Sequence, residues 1–168
     1  GYNGLLHRDA DIHLAKAATA RGLPFSLSTA SNTSLEDLVA AAPDVDLWFQ
    51  LYAMRDPAVQ KNLLQRAAAV GCRTLVLTCD AMVLGNREWD RRSFARPRQL
   101  TWRNKFDVVR HPRWLKQVMW PSGLPGMGNL EPYLPPSERN PLGSMAFVGK
   151  QMDTLLDWDM LARLRDQW

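Results

Sequence analysis

Two spacings of hydrophobic residues alternate along the first eighty positions. Short, nearly continuous apolar runs follow stretches in which apolar residues recur at helical spacing. This pattern predicts three helix–strand pairs: helix 9–21, strand 25–29, helix 35–41, strand 46–52, helix 57–70 and strand 73–80. Apolar strands joined through single helices are typical of a parallel sheet in an α/β fold. A doubly wound sheet and a (β/α)8 barrel both fit, and the absence of a G-x-G-x-x-G turn favours the barrel.

Local start and stop signals support these bounds. Ser34 is placed to cap the second helix, with Asp37 three residues later, and Pro57 suits the first turn of the third helix. Gly22 and Gly71 follow the first and third helices, where a glycine commonly ends a helix.

The helix–strand rhythm stops after residue 80. Residues 81–143 hold most of the prolines and glycines, and we predict no strand there, only a short helix over 111–120. Helical pattern returns over 144–151 and after Asp157, a candidate cap. The chain is thus interpreted as a single domain over 1–168, with a βα core (1–80), a long loop (81–143) and closing helices (144–168). A loop of this length is usually functional or disordered.

Charge is distributed unevenly. Residues 1–86 carry seven basic and eight acidic residues, whereas 87–168 carry fourteen basic and nine acidic. The segment 87–116 alone has ten basic and three acidic residues, which indicates either an anionic partner or a solvated basic loop. Two cysteines without metal-like spacing favour a reducing compartment. The polar start argues against a secretory signal, and the lack of a long apolar run predicts that the chain does not cross a membrane.

Polar side chains follow all three predicted strands. A strand that buries Leu75, Val76 and Leu77 has no packing need for the polar residues after it. Because the carboxyl ends of parallel strands share one face, we expect six side chains to line a site there: Ser28, Thr29, Gln50, Tyr52, Thr78 and Asp80. Hydroxyls and an amide suit a polar cofactor ring, and a nearby arginine such as Arg87 suits a carboxylate. Capping or ordinary rim packing would explain several of them equally well.

Several short motifs of this sequence resemble those of a known enzyme family. "LPFSLSTASNTSLEDL", "LWFQLY", "GCRTLVLTCD" and "LGNREWDRR" together resemble the FMN-dependent 2-hydroxy acid dehydrogenase and oxidase family. "HPRW" and "KQMDTLLDWDMLARLRDQW" are similar to its membrane-associated bacterial L-lactate and (S)-mandelate dehydrogenases. The resemblance implies a (β/α)8 TIM barrel with FMN at the carboxyl ends of the strands. It also implies oxidation of an L-2-hydroxy acid to the 2-oxo acid, with hydride transfer to FMN.

The resemblance assigns roles position by position. Gly1, Ser28, Gln50 and Thr78 match cofactor-binding positions. Tyr52 and Arg87 match the residues that bind the substrate. Asp80 matches an acidic residue near the site, and Tyr52, Asp80 and Arg87 are the candidate catalytic group.

The same resemblance identifies what this sequence lacks. The family's general base is a histidine in an S-N-H-G-G-R segment whose arginine binds the substrate carboxylate, and a lysine on the fifth strand contacts the flavin. None of these is present, and His7, His13 and His111 lie in other contexts. The chain is therefore expected to be an internal piece of an enzyme, covering about barrel strands 2–4 and the loop after strand 4. It is expected to be inactive alone, and to leave a sheet edge and apolar surface exposed.

Residues 101–143 correspond to the segment that anchors the membrane-associated relatives. Their start interleaves tryptophans with basic residues, which suits an anionic membrane surface: Trp102, Arg103, Lys105, Arg110, Arg113, Trp114, Lys116 and Trp120. Nucleic acid uses similar side chains, but nothing else supports it. The resemblance implies a cytoplasmic homo-oligomer, peripheral on the inner face of the bacterial cell membrane, that passes electrons to a membrane quinone. A soluble oxidase using oxygen and a noncatalytic membrane-binding module are the alternatives.

Overall fold

A computed structural model of the chain describes residues 1–79, 94–96, 99–120, 122–151 and 156–168. Its helices and strands, in chain order, are α1 (Ala10–Thr19), β1 (Phe25–Ser28), α2 (Leu35–Ala41), β2 (Leu47–Leu51), α3 (Pro57–Ala69), β3 (Thr74–Leu77), β4 (Phe94–Arg96), β5 (Gln99–Leu100), α4 (Trp102–Val109), α5 (Pro112–Trp114), α6 (Pro141–Gln151) and α7 (Trp158–Gln167). A π-helical turn, Leu115–Met119, continues α5 directly.

The first three strands form one parallel sheet in the order β1-β2-β3. Leu27, Phe49 and Leu51 are buried in this sheet and share a core with residues of α2 and α3. β1 and β2 are each followed by a helix that returns the chain to the starting end of the sheet, which is the repeating unit of a (β/α)8 barrel. The predicted α/β class and the six elements of the βα core are confirmed.

Three helices begin with the predicted chemistry. Ser34 Oγ accepts the backbone N–H of Asp37 at 3.0 Å. Asp56 accepts an N–H of the first turn of α3, where Pro57 is the first residue. Asp157 accepts an N–H of α7 at 2.7 Å. Each bond satisfies a donor that the helix itself leaves unpaired.

The first helix differs from its prediction. It begins at Ala10, after Asp9 in a left-handed conformation without a capping bond. Asp11 and Ala15 are its buried residues, whereas Leu14, which the pattern placed on the apolar face, is half exposed. Asp11 is buried because two polar neighbours, described below, bind its carboxylate.

The interpretation of 81–143 as a loop without strands is wrong in two places. β4 and β5 pair antiparallel, with Phe94 opposite Leu100. α4 then follows where no helix was predicted, although the short helix over 111–120 is confirmed by α5 and its π-helical turn. Trp102, Phe106 and Val109 do recur at helical spacing, but sequence reasoning assigned them to the long loop, and in the structure they are exposed.

Residues 125–134, hereafter the strap, are irregular in backbone yet buried in part. Met127, Leu130 and Leu134 lie inside the protein. The side chain of Asn32 donates to the carbonyls of the first two strap residues, at 3.2 and 2.6 Å. A hydrogen bond to the β1–α2 loop adds a third link, from Gly128 N to a carbonyl at 3.0 Å. Irregular backbone can be buried here because its polar groups have partners.

Strand β3 has one strand neighbour, β2, among the described residues. Its apolar side chains, Leu75, Val76 and Leu77, are partly exposed, so the expectation that this strand buries them is only partly met. Leu75 and Leu77 line an open groove against α7, with Trp158 and Trp168 on its other side.

Candidate functional site

Three side chains form a hydrogen-bonded row across the carboxyl ends of the sheet. Ser28 Oγ donates to Gln50 Oε1 at 2.5 Å, and Gln50 Nε2 donates to Thr78 Oγ1 at 2.7 Å. Ser28 Oγ also accepts the backbone N–H of Ala30 at 3.2 Å, which fixes its orientation. The structure therefore brings together three of the predicted cofactor-binding residues, one from the end of each strand.

Strand register explains the row. Ser28 lies opposite Gln50 in the β1–β2 pair. Thr78 follows β3, and its N–H continues the ladder by donating to Leu51 O at 3.0 Å. Gln50 lies opposite Val76 in the β2–β3 pair, so Thr78 is on the same face of the sheet two residues further on, and the Gln50 side chain reaches forward to it. Gly1 lies at the first end of the row, since a Cβ there would be 3.8 Å from Ser28 Oγ.

Thr29 and Tyr52 lie beside the row. The buried Thr29 hydroxyl donates to Gln50 O at 2.7 Å and accepts the Tyr52 N–H at 3.3 Å. Thr29 thus joins the ends of β1 and β2, which makes its role structural. The backbone of Tyr52 is held at the edge of the site, and its side chain is half-buried.

Asp80 and Arg87 lie outside the described residues. Their predicted roles stay predictions from the sequence.

Two polar residues near the site were not predicted. Asp11 accepts hydrogen bonds from Asn3 Nδ2 at 2.7 Å and Ser31 Oγ at 2.5 Å, which fastens the segment that begins at Gly1 to the β1–α2 loop. Asn129, fully buried in the strap, bonds to both ends of that loop. Their only signal in the sequence is a polar residue among apolar neighbours, which is weak evidence.

A second surface, residues 101–120, combines exposed apolar and basic side chains. Trp102, Phe106 and Val109 recur on one face of α4 and are all exposed. Lys105 Nζ lies 4.6 Å from the centroid of the Trp102 ring. The chain continues into α5 and its π-helical turn, which end at the exposed Trp120.

The side chain of Trp114 links this surface to the N-terminal segment, since Trp114 Nε1 donates to Leu5 O at 2.7 Å. The strap, by contrast, is largely buried, so within the predicted membrane segment 101–143 the part that presents exposed tryptophans together with basic residues is 101–120. Within the described part of the chain, no helix is long and apolar enough to span a bilayer.

Comparison with known proteins agrees with this geometry. The family model of the FMN-dependent dehydrogenases matches residues 1–168. The chain belongs to this family. An L-lactate dehydrogenase from Ectopseudomonas mendocina (strain ymp) is 36% identical over 175 residues, covering 100% of this chain and 44% of the relative.

Solved structures of flavoenzymes are similar as well. The monotopic membrane protein (S)-mandelate dehydrogenase superposes with a TM-score of 0.87 at 38% identity, over 100% of this chain and 44% of that one. A mandelate oxidase variant crystallised with (S)-mandelic acid gives 0.51 at 32% identity, over 66% and 36%. The chain spans less than half the length of these relatives. The predicted family and partial TIM barrel are confirmed, and FMN is the cofactor of the family.

A site for the polar edge of a flavin ring needs hydrogen-bond donors. Gln50 uses one of its two amide hydrogens on Thr78. Thr78 accepts that bond and keeps its own hydroxyl hydrogen, which has no acceptor among the described residues. Two donors therefore stay available along the row, one on Gln50 and one on Thr78. These residues fit the ring of FMN.

Proposed function

We propose that the protein containing this chain oxidises an L-2-hydroxy acid, with lactate and mandelate as the candidate substrates, to the 2-oxo acid using FMN. The observation that carries the proposal is the row of Ser28, Gln50 and Thr78 across three strand ends. The names of the relatives, L-lactate dehydrogenase and (S)-mandelate dehydrogenase, support the substrate class.

Bound FMN would supply a ring that accepts a hydride from the substrate carbon. The row orients that ring through Gln50 N–H and Thr78 O–H, and Ser28 holds the Gln50 amide in the donating orientation. Because the three side chains fix one another, little rotamer entropy is lost when the cofactor binds.

Tyr52 is proposed to donate its hydroxyl hydrogen to the substrate. Its backbone N–H is held by Thr29, which is bonded to the carbonyl of Gln50. The same threonine therefore fixes the backbone of Tyr52 relative to that of Gln50 in the row. Arg87 is proposed to pair with negative charge on the substrate, and Asp80 to order the loop that carries Arg87.

Removal of the substrate hydroxyl proton needs a general base, and the family's S-N-H-G-G-R segment does not occur in these 168 residues. We therefore predict that this chain alone does not turn over a 2-hydroxy acid. The test is to mix the purified chain with FMN and substrate without oxygen, where bleaching of the flavin absorbance would contradict the prediction.

The cofactor role is tested by Thr78→Val in the FMN-binding protein. Valine keeps the shape of threonine but removes one donor to FMN, worth about 1 kcal/mol, so the Kd for FMN should rise about fivefold. Thr74→Val, at the other end of the same strand, is the matched control and should leave the Kd unchanged. Equal effects of the two variants would contradict the role of the row.

The substrate class is tested in the same protein. Anaerobic L-lactate or (S)-mandelate should bleach the bound flavin, and Tyr52→Phe should raise KM. A flavin that stays oxidised with both acids would refute the proposed reaction.

We further propose that residues 101–120 bind the inner, anionic face of the cell membrane from the cytoplasm. Their exposed tryptophans and five basic residues support this, as does the description of the mandelate dehydrogenase as a monotopic membrane protein. A membrane quinone is the proposed electron acceptor, and a homo-oligomer the proposed assembly. A soluble quinone analogue should reoxidise the reduced flavin faster than dissolved oxygen does, whereas the reverse would favour an oxidase.

A further inference from the structure

The β1–α2 loop, residues 29–34, is closed at its neck by one buried side chain. Asn129 Nδ2 donates to Ser28 O at 3.1 Å, and Asn129 Oδ1 accepts Leu35 N–H at 2.8 Å. The amide thereby joins the last residue of β1 to the first residue of α2. Asn129 has 0% of its surface exposed, so water does not compete for these bonds.

The strap that carries Asn129 is itself fastened on its other side. Arg66 Nη1 donates to Asn129 O at 2.8 Å, and the same guanidinium binds Glu36 through Nε and Nη2 at 2.7 and 2.8 Å. Ser144 Oγ accepts the backbone N–H of Met127 at 3.1 Å. Residues of α2, α3 and α6 therefore hold the strap backbone at Asn129 in place, and the Asn129 side chain in turn holds the end of β1.

Gly128 shows how closely the strap approaches the loop. A Cβ at this position would lie 2.7 Å from Ser34 N and 2.9 Å from Asn32 O, both backbone atoms. Only glycine at position 128 leaves room for the strap backbone at this distance from the loop. The Asn129 amide reaches both Ser28 O and Leu35 N because the two backbones lie so close.

We propose that Asn129 is a positioning residue for the flavin site. Its amide hydrogen-bonds to none of the three side chains of the row, but it holds the backbone carbonyl of Ser28, whose hydroxyl begins the row. Fixing this backbone sets where Ser28 Oγ meets Gln50, and hence where Gln50 presents its free N–H. The inference rests on the proposed FMN site and extends it to a residue about one hundred positions away in the chain.

The test is Asn129→Asp in the FMN-binding protein. Aspartate has the same shape and still accepts from Leu35, but it cannot donate to Ser28 O. We expect the Kd for FMN to rise about tenfold and the absorbance bands of bound flavin to shift. Asn62→Ala is the control, because it removes the acceptor of a strap hydroxyl, that of Tyr133 at 2.6 Å, while the hydroxyl that Arg66 Nη1 reaches at 3.5 Å stays in place. It should leave the flavin spectrum and the Kd unchanged.

A double-mutant cycle separates positioning from a general loss of stability. If Asn129 acts through Ser28, Asn129→Asp should change the FMN Kd less than twofold once Ser28→Ala is present. An equal rise in both backgrounds would overturn the proposal. So would an Asn129→Asp protein that is less stable to urea but binds FMN as wild type does. Failure of wild-type protein to bind FMN would instead refute the proposed function.

A measurement on wild-type protein covers the case in which the variant does not fold. FMN should slow amide hydrogen exchange at Leu35, which donates to Asn129, and at Gly128 together with Ala30 beside the row. Protection of Ala30 without any change at Leu35 and Gly128 would overturn the proposal.

Discussion

Replacing Trp102 with alanine tests the membrane surface most directly. Trp102 exposes 84% of its surface. If a tryptophan has about 250 Å² to offer, roughly 210 Å² faces water here, and half of this enters the headgroup region when the helix lies in the interface. At about 25 cal/mol per Å², that is about 2.5 kcal/mol, or up to about 60-fold in partition coefficient. Because alanine keeps part of the contact, we expect a loss of at least about tenfold.

The assay is co-sedimentation with vesicles that contain anionic phospholipid. Trp158→Ala is the matched control, because Trp158 on α7 is also 84% exposed but lies outside the 101–120 surface. Binding should fall for Trp102→Ala only, and it should weaken with added salt because basic residues contribute about 1 kcal/mol each. Equal losses in both variants, or a loss for Trp158→Ala alone, would refute the assignment. A wild-type protein that stays in the supernatant would favour a soluble oxidase.

Three further results are expected. Leu130→Ala should lower the free energy of unfolding by about 2–5 kcal/mol in urea denaturation. Leu6→Ala, at 77% exposed, should cost less than about 0.5 kcal/mol, and equal costs would mean that the strap is not part of the core. The hydrogen bond from Arg66 lowers the pKa of Glu36, so the ionised carboxylate stabilises the folded state. The difference in free energy of unfolding between wild type and Glu36→Gln should be full above about pH 4.5 and disappear as the pH falls through the lowered pKa. A constant difference over that range would contradict this. Ser34→Ala removes the cap of α2 and should cost about 1 kcal/mol in the same denaturation assay.

The βα core could be predicted because its signals are local. The strand 47–51 is an apolar run, α2 has its cap at Ser34, and parallel topology follows from single-helix connections. The row was predictable for the same reason, because topology alone puts the carboxyl ends of strands together. Gln50 was the most informative residue, since an amide within an apolar strand must find partners.

The strap and α4 could not be predicted in this way. Leu130 is buried without helical or strand periodicity around it. Its burial depends on hydrogen bonds that Asn32 and Arg66, from distant parts of the chain, donate to backbone carbonyls of the strap. A glycine- and proline-rich composition indicates loop, but it does not distinguish an exposed loop from a packed one. α4 was missed for a different reason, because its apolar residues, including the exposed Phe106, lie in a basic segment whose flanking composition indicates loop.

The distance along the chain between the β1–α2 loop and the strap affects the order in which they fold during synthesis. Asn32 and Ser28 bond to residues 93 to 101 positions later. At a synthesis rate of about 5–20 residues per second, the loop is made roughly 5–20 seconds before the strap that closes it. The βα core can begin to form early, but the loop beside Ser28 gains its hydrogen bonds to the strap only after the strap has been made. Contacts of such long range slow folding. Pulse-labelling of nascent chains should find Leu35 unprotected until the strap has been synthesised. The sheet can therefore form on the ribosome before the edge that carries the proposed cofactor row is complete.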